Sequence, residues 1–134
     1  MSALIEEFKK EHSEIVDALQ EVKALGVLTK KGQVKLMSLK QSLIEHLSKE
    51  DGKLYPVLWK KAKQNKMLQE KLAIYAEDLK KVSSVIFEFF DRYDKWVLGD
   101  KSVEEFEYLS KVLRYRMGNE EDSLYVEYEK IIQK

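Results

Sequence analysis

The chain has 134 residues, enough to bury a core without disulfides, and it contains no cysteine, which excludes thiol catalysis, iron-sulfur ligation and cysteine-type zinc sites. Lys plus Arg and Asp plus Glu both number 24 and there is no basic stripe, so neither a nucleic-acid nor a membrane binder is expected. One proline and five glycines against 36 % charged residues predict an all-α chain.

Ser2 is the expected N-cap of a first helix over 3–25, with an apolar stripe of Leu4, Ile5, Phe8, Ile15, Val16, Leu19 and Val22. His12 lies on that stripe, four residues from both Phe8 and Val16. Gly26 marks a stop, and the stretch V-L-T-K-K-G reads as a connection. A second helix is expected over 33–51 along Val34, Leu36, Leu39, Leu43, Ile44 and Leu47, with Gly52 and Pro56 bending or ending it. His46 and Glu50 fall four residues apart on its apolar face, where two titratable groups cost stability unless something pairs with them.

A few helical turns over 57–63 lead to a third helix, expected over 67–97 along Leu68, Leu72, Tyr75, Leu79, Val82, Ile86, Phe89, Tyr93 and Trp96. Leu98, Gly99 and Asp100 read as a turn, and Ser102 with Glu105 as a capping box opening a fourth helix from Val103 towards Ile132. Gly118 is a weak point inside it, costing up to about 1 kcal/mol relative to alanine. The expected architecture is a single domain, 1–134, folded as an up-down-up-down four-helix bundle. The aromatics Phe87, Phe89, Phe90, Tyr93 and Trp96 occupy more than one side of helix three, which is compatible with a homodimer surface. No apolar run approaches the roughly 18 residues of a membrane span, and an N-terminus rich in acids is unlike a signal peptide, so a cytoplasmic protein is expected.

An offset of 70 residues lays the sequence on itself. Leu36, Leu39, Leu43, His46, Glu50, Leu54 and Tyr55 fall on Phe106, Leu109, Leu113, Arg116, Glu120, Leu124 and Tyr125, and Ile15, Val16 and Leu19 fall on Val85, Ile86 and Phe89. The chain is thus two copies of a helical hairpin. Packed about a pseudo-twofold axis, they bring His12, His46 and Glu50 together with Val82, Arg116 and Glu120 at one level, near one end of the bundle, with Asp51 and Glu121 beside them.

Through F-K-K-E-H-S-E-I, H-L-S-K-E-D-G-K-L-Y-P and R-M-G-N-E-E-D-S-L-Y, the chain resembles hemerythrin-like proteins, the HHE cation-binding domain family. The resemblance implies a four-helix bundle around a non-haem di-iron centre that binds oxygen or senses oxygen, nitric oxide or iron. Carried over, His12 and His46 are the histidine ligands, Glu50 is one bridging carboxylate, and Glu120 or Glu121 is the second. The chain departs from that pattern twice: helix three has no histidine, and the helix-four histidine position holds Arg116, which cannot coordinate a cation. Arg116 is therefore expected to replace the second metal by bridging Glu50 and Glu120, leaving at most one ion, non-haem iron or zinc, with Asp78 a further candidate ligand. The alternative is a metal-free protein-protein interaction module. No nucleophile-base pair or phosphate loop is present to suggest catalytic residues, which points away from an enzyme.

Overall fold

The computed structural model describes residues 2–94 and 101–133, and of Tyr93 and Asp94 the backbone alone. It contains α1 (Ala3–Leu25), α2 (Lys30–Lys49), α3 (Tyr55–Ala62), α4 (Lys66–Asp94), α5 (Lys101–Asn119) and α6 (Tyr125–Ile132). Single π turns, Glu50–Leu54 and Glu120–Leu124, join α2 to α3 and α5 to α6. The result is four rods, α1, α2–α3, α4 and α5–α6, forming the all-α four-helix bundle that the periodicity predicts.

Ser2 caps α1 by accepting the Ile5 N–H at 3.2 Å, while its own N–H and hydroxyl donate to Glu129 at 2.8 and 2.9 Å, pinning the start of α1 to α6. Gly26 ends α1 at φ 95°, a left-handed value that glycine adopts without steric penalty. α2 starts three residues earlier than the sequence suggests. Thr29 is its N-cap and accepts the Gly32 N–H at 3.0 Å, and Gly32 lies so close to the Gly26 carbonyl that a Cβ there would strike backbone.

Gly52 and Pro56 do not end the second helix. The Tyr55 N–H reaches back five residues to the Glu50 carbonyl, and this widened turn takes up one extra residue before the α-helix resumes. Proline is not the cause, because the second copy closes the same turn between Tyr125 and Glu120 with Val126 in the position of Pro56. The two π turns are separated by the same 70-residue offset as the sequence repeat.

Asn65 caps α4 by accepting the Leu68 N–H at 3.1 Å. The expected end of this helix at Val97, the turn at Leu98–Gly99–Asp100 and the packing of Tyr93 and Trp96 lie outside the described residues. α5 is already helical at Lys101, two residues before the expected start, and Glu105 pairs with Arg92 of α4 at 2.6 Å.

Two apolar clusters fill the interior. One gathers Ile15, Leu19, Leu39, Leu43, Phe90, Leu113 and Met117 among others. The second gathers Ile5, Phe8, Leu54, Leu58, Leu72, Leu124 and Tyr125. On α1, α2 and α5 the polar residues fall between them: His12 between Phe8 and Ile15, His46 and Glu50 between Leu43 and Leu54, and Glu120 between Met117 and Leu124. The polar level is therefore an internal layer and not the end of the bundle, because both π-turned rods run on past it. Val34, Ile44 and Phe87 of the expected stripes and aromatic cluster are exposed, whereas Phe89 and Phe90 are core.

Candidate metal centre

Four buried side chains meet in that layer. One ligand atom each from His12, His46, Glu50 and Glu120 lies within 4.8 Å of the others, and all four residues are nearly inaccessible to solvent. The first half supplies three of them, and Glu120 comes from the second half, at the start of its π turn.

The ring orientations are set from outside. His12 Nδ1 lies 2.8 Å from Glu121 Oε2, and His46 Nδ1 lies 2.7 Å from Glu11 Oε1. Carboxylates accept hydrogen bonds, so each Nδ1 carries its proton and each Nε2 is left with a lone pair. Those two Nε2 atoms face each other at 3.0 Å. Glu11 is itself held by the Lys49 ammonium at 2.6 Å, and Lys49 also reaches Glu7 at 3.0 Å.

Glu50 Oε1 lies 3.3 Å from His46 Nε2, Glu120 Oε1 lies 3.4 Å from His12 Nε2, and Glu50 Oε1 has no hydrogen-bond partner. The Tyr125 hydroxyl is 3.0 Å from Glu50 Oε2 and 3.1 Å from His12 Nε2; having one proton, it donates to only one of them at a time. Burial and the Glu120 and Glu50 charges push this phenol up, so it keeps its proton.

The centre is rich in electron pairs and poor in protons. Burial by itself raises the Glu50 carboxyl, but the closeness of His46 and Glu120 and the charges of His46 and Arg116 outweigh that and hold it at about 2. Burial and the Glu50 charge push Glu120 well above the usual carboxylate range, against the pull of the Arg116 charge, so two bare carboxylates side by side are costly without a further cation. Burial lowers the His46 imidazole, yet Glu50 and Glu11 together leave it raised, so with no ion bound Nε2 competes for a second proton, which a cation would displace.

These donors fit a cation. The separations of 3.0, 3.3 and 3.4 Å between neighbouring ligand atoms are close to the edges, about 3–3.5 Å, of a coordination shell with bonds of about 2.0–2.2 Å. The facing imidazole lone pairs and the unpartnered Glu50 oxygen are the groups an ion would satisfy, and the carboxylates on both Nδ1 atoms are the usual outer support of ligating histidines.

The second half offers no equivalent. Val82 stands where His12 stands in the first half, and Arg116 stands where His46 does. Arg116 Nη2 lies 3.3 Å from Glu120 and 3.4 Å from the Tyr55 hydroxyl. The expected bridge to both carboxylates is reduced to one, for the guanidinium touches Glu120 and acts on Glu50 only through space. Asp78 is exposed on α4 and outside the cluster. Of the two acids that the repeat leaves open, Glu120 faces the centre and Glu121 supports His12 from behind. Sequence reasoning misses Tyr125 and Glu11. The conserved spacing of Tyr55 and Tyr125 in the repeat is a signal for the first; nothing in the sequence marks Glu11 among so many exposed acids.

A four-helix bundle that turns two imidazoles and two carboxylates onto one buried point has the architecture of a helical cation-binding protein. The chain belongs to the hemerythrin HHE cation-binding domain family, whose model matches residues 3–128. Searches of curated proteins and of solved structures found no match. Among the described residues no helix is long and apolar enough to cross a membrane.

Proposed function

We propose that the chain holds one cation, non-haem iron or alternatively zinc, between His12, His46, Glu50 and Glu120, and serves as a cytoplasmic protein that binds or senses oxygen, nitric oxide or iron without being an enzyme. The observation that carries this reading is the pair of Nε2 lone pairs 3.0 Å apart, with both Nδ1 protons committed to Glu121 and Glu11. An ion at this point would supply an open coordination position for a small ligand. Tyr125 would orient that ligand by offering its one proton, and the apolar clusters on either side would keep bulk water away. Arg116 limits the count to one, since its charge beside Glu120 opposes a second ion.

A second reading is a metal-free interaction module, favoured by the buried Arg116–Glu120 pair, in which the guanidinium already neutralises part of the site. Elemental analysis of protein purified without chelator, beside His46→Ala, separates the two. One metal per chain, lost in the variant, is expected. Two irons per chain, or equal metal content in both proteins, would overturn the one-cation reading. A melting temperature unaffected by chelator would favour the interaction module. An oxygen-dependent visible band in the loaded protein is the expected sign of iron as the ion.

A further inference from the structure

A cavity of about 360 Å³ lies between α4 and α5, within the roughly 300–1,000 Å³ usual for small-molecule sites. Its inner wall is Arg116 and Glu120, and its sides are apolar and aromatic, formed by Val82, Val85, Tyr108 and Tyr115. Lys81 and Lys111, both exposed, line it as well and mark its opening to solvent. The Tyr75 ring is fixed against it by a hydrogen bond from its hydroxyl to the Asn119 carbonyl at 3.3 Å.

The repeat explains why this space exists. A hollow of only about 90 Å³ occupies the corresponding place between α1 and α2, lined by Glu11, Glu14, Ile15, Ser42, Glu45 and His46. The 70-residue offset carries five of those six, all but Glu14, onto Lys81, Val85, Val112, Tyr115 and Arg116, which line the larger cavity. In the first half the Glu11 carboxylate lines the hollow beside His46, accepting from His46 at 2.7 Å and from Lys49 at 2.6 Å. In the second half the same position holds Lys81, of opposite charge, and the cation it faces is Arg116. The Arg116 side chain is nine-tenths buried, and its Nε has no hydrogen-bond partner. Three cations, Lys81, Lys111 and Arg116, stand around the cavity against two acids, Asp78 and Glu120.

We propose that this cavity binds a small organic anion, a carboxylate on an aromatic or aliphatic body, whose carboxylate takes the place beside Arg116 that the Glu11 side chain takes beside His46. The body of the ligand packs on the tyrosine and valine walls, and Lys81 and Lys111 close over the charge. The cavity shares Glu120 with the cation centre as its back wall, but the anion meets Arg116 and the lysines and not a bound ion.

Benzoate is a suitable probe, with benzyl alcohol as its neutral and benzamidine as its cationic counterpart, titrated calorimetrically and by amide chemical shifts. Saturable benzoate binding with a Kd at or below about 1 mM is expected, with shifts centred on Tyr108 and Tyr115. Benzyl alcohol and benzamidine should bind at least about tenfold more weakly, and the exposed substitution Lys81→Glu should weaken benzoate to a similar degree. Arg116→Gln should abolish saturation, with circular dichroism as the check on folding. Absence of saturable binding, equal affinity for benzyl alcohol or benzamidine, or indifference to Lys81→Glu would overturn the proposal. So would benzoate binding lost on treatment with chelator, which would place the anion on a bound metal.

Discussion

Glu11 and Glu121 never reach the centre, yet they decide what the two histidines can do. By accepting each Nδ1 proton they leave both Nε2 atoms as donors to a cation. On the one-cation reading, Glu11→Ala should weaken metal binding by about 10–100-fold in competition with a chromophoric chelator, whereas Glu45→Ala, on the exposed face of α2, should leave it unchanged. Arg116 has the opposite character, a buried charge held in place opposite Glu120. Arg116→Met should cost about 3 kcal/mol in urea unfolding, the lower end for a broken buried pair, because Glu120 can relieve its isolation by keeping a proton. The pairing of His46 with Glu50 is legible in the sequence because four residues make one helical turn. The support by Glu11 is not, because it depends on how α1 is rotated against α2.

At the scale of the elements, the glycines separate by what surrounds them. Gly118, near the end of α5, has open space where a Cβ would go, so Gly118→Ala should stabilise the protein by up to about 1 kcal/mol in thermal or urea unfolding. Gly32, in the first turn of α2, is pressed against the Gly26 carbonyl, so Gly32→Ala should destabilise it despite the better helix propensity of alanine. The amphipathic stripes predict every long helix, but they do not predict that α2 runs through into α3. Gly52 and Pro56 are strong breakers in an α-helix; a turn closed five residues back changes which carbonyl and which N–H must meet, and local propensity carries no information about that choice.

In the whole molecule, two similar hairpins have been given different tasks. The first half brings two imidazoles and a carboxylate to the centre, and the second brings a carboxylate and an arginine. On the one-cation reading, if the asymmetry rests on the residues at two positions, replacing Val82→His and Arg116→His together should raise the metal content from one ion per chain towards two, read by elemental analysis. An unchanged single ion in a folded double variant would show that the α4–α5 half lacks the geometry as well as the ligands. The same asymmetry accounts for the difference between the two cavities, about 360 Å³ against about 90 Å³ at equivalent places.

By itself the sequence determines the helices, the duplication and the candidates His12, His46, Glu50 and one of Glu120 and Glu121, since periodicity and spacing are local properties of the chain. Only the tertiary structure decides that the polar level is an inner layer between two apolar clusters, and that Glu120 and not Glu121 faces it. It also decides that Tyr125 completes the centre and that Arg116 reaches one carboxylate instead of two. Those outcomes depend on how each rod is rotated against its neighbours and, for Tyr125, on the π turn before it, where a single extra residue redirects the side chains that follow.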